Sequence, residues 1–431
     1  MKRMMWILTS VPGWGLAQAV DPFAQGQDEA FAAEESFFEA APLATAKLYG
    51  FIEAYVEKVA ETPAGVENGK TVFEENPHEF DVPSLHVMVQ GTIANQYRYF
   101  LNLAGPGSGS PVNDEHIVVR NAWVEIPVAG DGLQIRAGKT YRRFGLYNEV
   151  LDATPTFLGI EPPELFDKDH PLLTRTTNLM VHGRFSAGEH AFSYAIMTGN
   201  DEREGGQFPI GLDLSYELGT QLRFGTSFYT TAGDATPATT DDGDNVGGVA
   251  RWMAKDSYEV FGAYGQVREE GLQVEAEFWV SPHRAERDPA AVLGLQGAGL
   301  NPRQLERFGL NGASPTEGDV PVKAEYTITT GYVRLGYAFE TGVGEFTPYG
   351  QFDFYRNEET IGNKDFGGDN EAGLSDDGQF FKPTFGLIYR PDPAIALKVD
   401  GSSHIQKYNG ETIQYPEVRA SLSYLWQLEV L

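Results

Sequence analysis

Between positions 136 and 169 the chain gathers Arg136, Lys139, Arg142 and Arg143, followed by Glu149, Asp152, Glu161, Glu164, Asp167 and Asp169. Nothing in this spacing suits a covalent catalyst or a metal cage, so the chemistry on offer is electrostatic. Fixed charges of opposite sign across a gap set up a transverse field. Where a solute must shed part of its hydration, that field favours small polar molecules over apolar ones. The bland alternative is that the arginines pair with the segment's own carboxylates and hold it in place. The same stretch carries Phe157, Leu158, Ile160, Leu165 and Phe166, which need a surface to pack on. The acidic, glycine-rich stretches at 232–255 and 357–378 are nearly free of aliphatic residues by comparison.

Other candidate chemistry dissolves on inspection. Gly65-Val66-Glu67-Asn68-Gly69-Lys70-Thr71 imitates a phosphate loop but is one residue short and sits between predicted strands, which reads as a glycine-rich turn. The histidines, at 78, 86, 116, 170, 182, 190, 283 and 404, show no His-x-x-x-His spacing, so no metal site is expected. Gly107-Ser108-Gly109-Ser110 is a loop tip and not a nucleophile elbow. The expectation is no enzyme, no cofactor and no metal, with a membrane-embedded hydrolase disfavoured for want of a nucleophile arrangement.

The elements that must position the charged stretch alternate in parity. In Gly271 to Val280, Leu272, Val274, Ala276, Phe278 and Val280 take one face; Gln273, Glu275, Glu277 and Trp279 take the other. About sixteen such strands run from 47–58 to 415–426. Every second link is tiny, and six of them are tight-turn sequences built from Gly, Pro and Asp, as in Leu218-Gly219-Thr220 and Glu269-Glu270-Gly271. The remaining links, 59–82, 105–116, 142–175, 200–208, 232–255, 282–325, 357–378 and 408–414, are mostly long and polar. Soluble sandwiches rarely carry structureless connections of that length. The pattern predicts an all-β chain: a transmembrane antiparallel β-barrel over 47–431 whose third outer loop, 142–175, folds into the lumen.

The N-terminus fits export. Lys2 and Arg3 precede an apolar run from Met4 to Leu16, and Ala17-Gln18-Ala19 offers a cleavage site, so 1–19 reads as a signal peptide. Residues 20–46 read as an acidic periplasmic lead-in, either a short amphipathic helix or a disordered segment. No later run approaches the ~20 apolar residues of a membrane helix. The 20 Tyr, 27 Phe and 6 Trp suffice for aromatic girdles at both interfaces, and cysteine is absent. Net charge is −29, more negative by two once Lys2 and Arg3 leave with the leader, which excludes nucleic acid as a partner. Average hydropathy, −0.32, decides nothing where lumen and loops are wet.

On this whole-chain architecture, and on Leu48-Tyr49-Gly50-Phe51 as opening strand, the sequence resembles the Gram-negative porins. A narrower resemblance, to the phosphate-selective (O/P-type) porin family, rests on Gly138 and Phe144-Gly145-Leu146. The resemblance implies an outer-membrane, homotrimeric channel in contact with membrane lipid, passing ions and small hydrophilic solutes by passive diffusion, with the third loop narrowing the barrel. The acidic chain and the lack of a lysine-rich loop point away from phosphate. The chain ends at Leu431 where porins usually end in Phe, though the last strand still alternates Leu422, Tyr424, Trp426, Leu428 and Val430.

By strand parity the lumen should be lined by Arg98, Arg136, Asp213, Glu217, Arg223, Glu275, Glu277, Asp353, Lys398 and Asp400. The constriction should pit Arg136, Lys139, Arg142 and Arg143 against the six carboxylates of the third loop, whose excess implies a weak cation preference. Ala276→Arg should damage the membrane face while Glu275→Arg, one residue away, should be tolerated. The competing expectations are an anion- or phosphate-selective porin and a structural or partner-binding barrel, either a sheath around an electron-transfer protein or an adhesin.

Overall fold

The computed structural model describes residues 45–429 apart from 60, 68–69, 76–78, 95, 106–116, 149–153, 164–175, 200–207, 240–244, 247–248, 298–299, 358, 360–377 and 409. The leader, residues 1–19, and almost all of the lead-in at 20–46 lie outside the described residues.

Sixteen antiparallel strands close into one barrel. They are β1 Lys47–Val59, β2 Glu79–Ile93, β3 Tyr97–Ala104, β4 Val118–Pro127, β5 Gln134–Tyr141, β6 Thr176–Ala187, β7 His190–Thr198 and β8 Ile210–Leu218, then β9 Leu222–Thr230, β10 Met253–Glu269, β11 Leu272–Arg287, β12 Lys323–Tyr337, β13 Gly344–Arg356, β14 Gln379–Asp392, β15 Ile395–Tyr408 and β16 Glu411–Glu429. Past a break at Ala338, β12 resumes as Phe339–Thr341, still beside β13. Each strand pairs with its sequence neighbours. β16 returns to β1 in unbroken register from Lys47↔Glu429 to Val59↔Glu417, which removes the edge.

The tight turns form as read from the sequence. Between β10 and β11 the register runs to Glu269↔Leu272, leaving a two-residue loop, and Glu270 and Gly271 take φ of 46° and 89°. Two successive positive φ values make the hairpin turn whose twist matches the strands. The phosphate-loop imitation falls in a hairpin of its own, with Gly65↔Val72, Val66↔Thr71 and Glu67↔Lys70 paired, so it is not a loop leading into a helix.

Strand alternation sorts side chains between two solvents. On β11 the inward set Gln273, Glu275, Glu277, Trp279, Ser281 and His283 is buried, while Phe278 on the other face is 45% exposed. Val333, Leu335, Phe352, Phe385, Leu397, Val418 and Leu422 are exposed in the same sense around the wall. A closed ladder with polar groups inside and large apolar groups outside is a membrane-spanning barrel. No helix among the described residues is long and apolar enough to cross a membrane.

Two features depart from the sequence reading. The strands β10–β16 run 13 to 19 residues against 8 to 12 for β3–β9, so one side of the barrel extends further into the long-loop end. The 282–325 link is not a plain polar loop. It holds α1 Pro289–Gly294, capped by Asp288 Oδ1 accepting from Ala290 N–H, and α2 Pro302–Arg307, capped by Asn301 Oδ1 accepting from Gln304 N–H. Val292, Leu295, Phe308, Leu310 and Val320 from this link join Trp252, Tyr258, Trp279, Tyr326 and Phe144 in one buried apolar cluster.

Candidate pore constriction

After β5 the described third-loop residues, 142–148 and 154–163, run along inward-facing side chains of one wall. Arg142 is buried with its guanidinium carbon 4.2 Å from the centre of the Tyr229 ring on β9, and its carbonyl accepts from Asn148 Nδ2 at 2.6 Å. Gly145 N–H donates to Ser227 Oγ at 3.0 Å, and that hydroxyl donates to Asp213 on β8 at 2.6 Å. Phe144 sits edge-on to Trp279 at 4.5 Å. Leu146 N–H donates to Glu277 Oε1 at 2.9 Å, an oxygen also held by the Tyr332 hydroxyl at 2.7 Å.

Next the Tyr147 hydroxyl donates to Glu275 and accepts from Arg334 Nη1 at 2.9 Å. Glu275 stands three residues from the start of β11. At ~3.3 Å of rise per residue the segment therefore passes deep toward the short-turn end here. It goes further: the Pro155 carbonyl accepts from Arg390 beside the β14–β15 turn at 3.2 Å, and Leu158 packs with Tyr349, Ile388 and Ala396.

From there it rises along β15 and β16. Lys398 donates to Gly159 O at 2.7 Å, Ile160 N–H donates to Asp400 at 3.4 Å, and Arg334 Nη2 donates to Glu161 O at 3.2 Å. The Glu161 carboxylate pairs with Lys382 at 3.3 Å and with Arg419. Desolvation pushes the Glu161 carboxyl up, but Arg419 and Lys382 outweigh it and hold the group below the usual carboxylate range.

The other expected constriction residues are placed as follows. Arg136 is buried on the inner wall in a four-member cluster: Glu125 accepts from Arg136 at 2.8 Å and lies 3.3 Å from Arg98 Nε and 2.7 Å from His182 Nε2. Lys139 takes the register position opposite Ala122, on the other face from Arg136, because the strand alternates and β5 is then irregular between Ala137 and Thr140. It is not placed with the inward set. Arg143 is half-buried, and its N–H points at Met197 Sδ at 3.1 Å. Glu149, Asp152, Glu164, Asp167 and Asp169 lie outside the described residues.

Arg98, Asp213, Glu275, Glu277, Asp353, Lys398 and Asp400 are all buried on the inward parity. Glu217 and Arg223, near a tight turn, lie 3.8 Å apart, and Glu217 also binds Arg184 at 2.6 Å. Parity would equally have found Glu125, His182, Arg334, Lys382, Glu417 and Arg419, the residues that hold the network together.

Two arrangements resemble chemistry of other kinds. Ser281 Oγ lies 2.9 Å from His283 Nε2, and His283 Nδ1 lies 2.7 Å from Asp256. The hydroxyl also donates to the Glu259 carbonyl at 2.8 Å, the serine is fully buried, and His283 is stacked between Tyr258 and Tyr326. This order corrects the expectation that no such arrangement exists, but it leaves no approach for a substrate. Carboxylate oxygens of Glu57, Glu161 and Glu417 come within 4.8 Å of one another, a spacing a cation could bridge, yet Lys382 and Arg419 already pair with Glu161 and Glu417.

No family model and no curated protein matches the chain. Solved structures do. A loop-deletion variant of OmpT, an outer membrane protein of Vibrio cholerae, superposes with a TM-score of 0.52 at 9% identity, covering 89% of this chain and 100% of that one. The anion-selective porin from Comamonas acidovorans gives 0.52 at 11% identity over 89% and 100%, and the outer membrane channel DcaP of Acinetobacter baumannii gives 0.51 at 11% over 89% and 97%. What this chain shares with them is the closed sixteen-strand antiparallel barrel.

Proposed function

We propose that the protein is a diffusion porin of the Gram-negative outer membrane, passing ions and small hydrophilic solutes without a catalytic step or cofactor. The observation that supports this reading is the course of residues 142–148 and 154–163, bonded through Leu146, Tyr147, Gly159, Ile160 and Glu161 to inward-facing groups of β11, β12, β14, β15 and β16. A segment held along the inner wall narrows the barrel and brings fixed charge to the solute path. The constriction is thus the third loop against its own wall, with Lys382, Lys398, Arg334 and Arg419 as the wall's cations. A homotrimer in outer-membrane lipid belongs to the same reading, on the resemblance to porins. Weak cation preference follows from the carboxylates of the loop and the net charge of −29. Liposomes carrying the purified protein should swell in small sugars and progressively less in larger ones. Liposomes indistinguishable from protein-free controls would remove the channel.

The cations Lys382, Lys398, Arg334 and Arg419 along the loop's path favour a second reading, an anion-preferring pore, which ion selectivity decides. The sheath reading needs a lumen free for a partner. Trp252, Tyr258, Trp279, Tyr326 and Tyr332, packed inside on Phe144, Phe157 and Phe308, argue against it.

A further inference from the structure

The tip of the third loop, residues 155–161, bonds to β12, β14 and β15, but the start of the loop is anchored against a buried core shared with the 282–325 link. Arg142 lies over Tyr229, whose ring is 5.9 Å from Tyr258, and Tyr258, His283 and Tyr326 stack across β10, β11 and β12 at 4.6 and 4.5 Å. Asp256 Oδ2 accepts from the Tyr326 hydroxyl at 2.9 Å and lies 2.7 Å from His283 Nδ1. Phe144 fills the notch that Gly262 leaves beside Trp279, where a Cβ would lie 3.2 Å from both rings. In an open mouth these inward rings would face water. Here residues 287–322 cover them as a cap. Phe308 meets Trp252 edge-on at 6.2 Å and lies 5.4 Å beneath the Arg287 guanidinium, which also donates to the Pro321 carbonyl at 2.7 Å and pairs with Glu359 beyond β13. Arg303 of α2 reaches the β15–β16 turn, where a Cβ at Gly410 would lie 2.6 Å from its Nη2.

We propose that this cap, with Phe308 as its positioning residue, sets the docking of the third loop and so the width of the pore. The proposal rests on the porin reading and adds a second element to its constriction. The physical reason is continuity of packing. Val292, Leu295, Phe308, Leu310 and Val320 of the cap and Phe144, Leu146, Tyr147 and Phe157 of the loop belong to one buried cluster, which also holds Trp252, Tyr229 and Tyr258. Lifting the cap lets water reach the Tyr258–His283–Tyr326 stack and takes packing from Tyr229, the ring on which Arg142 rests. A close-packed interior does not confine such a loss to the residues first exposed. The coupling is reciprocal: a loop that loses Phe144 loosens the cap by the same factor as a cap that loses Phe308 loosens the loop.

Hydrogen exchange in the purified, folded, full-length protein reads both ends of this coupling without needing a current. The loop reporters are the Gly145 and Leu146 amides, which donate to Ser227 and Glu277; the cap reporter is the Leu310 amide, which donates to the Leu305 carbonyl at 2.7 Å. Phe308→Ala should speed exchange at Gly145 and Leu146 about tenfold, leave the paired amides of β2–β5 unchanged, and raise the largest sugar admitted in liposome swelling. Phe308→Leu, which keeps most of the apolar volume, should restore both. Phe144→Ala should in turn speed exchange at Leu310, a measurement that stands by itself where Phe308→Ala does not assemble. A cap that is only a cover would exchange faster within 302–310 alone, with Gly145, Leu146 and the size limit unmoved by Phe308→Ala and Leu310 unmoved by Phe144→Ala. That result overturns the proposal. The porin reading fails separately, on the absence of any channel in the unmodified protein.

Discussion

Lys398 on β15 donates to the carbonyl oxygen of Gly159 at 2.7 Å, across 239 positions of sequence. The ammonium is buried, and Asp400 two residues on takes the next amide, Ile160 N–H, at 3.4 Å. Adjacent inward positions of one strand thus read successive backbone groups of the loop, a donor for the carbonyl and an acceptor for the amide. The path of the third loop is specified by the wall as much as by the loop.

If that path narrows the barrel, deleting residues 150–168 should raise single-channel conductance while the protein still assembles. Unchanged conductance in a folded deletion would place the constriction elsewhere.

Membrane exposure is tested on β11. Ala276→Arg, on the outward parity, should cost ~2–4 kcal/mol of stability if it lies near the midplane. The expectation that Glu275→Arg is tolerated does not survive the structure. Glu275 accepts from Tyr147, Gln266 and Gln273 and lies 3.6 Å from Arg268, so an arginine there removes a buried acceptor and adds a cation among cations. Both substitutions should destabilise, and Glu275→Gln should do so less than Glu275→Arg. Urea unfolding in lipid vesicles ranks the three.

Acid should release the tip. The Glu161 carboxyl is held below its usual range, so its contribution is complete above the ordinary carboxylate value, ~4.3, and is lost as pH falls through the lowered one. Hydrogen exchange at 155–163 follows the release across pH, after correction for intrinsic rates. Protection should drop on acidification in the unmodified protein and show no such step in Glu161→Gln. Identical pH profiles would show that the pair does not hold the tip.

The barrel was legible because a membrane strand reports itself twice, in parity and in its turn. The sixteen strands lie where alternation and short turns, most of them carrying Gly, Pro or Asp, put them. The extended ends of β10 and β11 were not legible because the membrane pattern inverts there: Arg284 and Glu286 take the outward parity while Met253, Tyr258 and Ala285 are buried inside. Asp288-Pro289 and Asn301-Pro302 did carry helix-start signals for the short helices of the 282–325 link. In the site, Glu275, Asp353 and Lys398 are buried on the parity that alternation gives them. It could not tell that Glu161 would find Lys382 and Arg419, since a loop's partners depend on the course it takes and not on spacing.

Arg142 and Arg143 separate packing from selectivity. Arg142→Ala removes a guanidinium stacked on Tyr229 and should cost stability, by about 2 kcal/mol for a desolvated cation–π contact. Arg143→Ala should leave stability nearly unchanged and strengthen cation preference, read as a shifted reversal potential. A shift toward anions would mean that Arg143 does not face the solute path.

The measurement that bears most directly on the central claim is a planar-bilayer recording of the unmodified protein in a potassium chloride gradient. Stepwise conductance with a reversal potential of the sign for a weak cation preference is the expected result. No channel activity from folded protein would contradict the porin reading, and a clear chloride or phosphate preference would contradict the assignment of selectivity to the third-loop carboxylates.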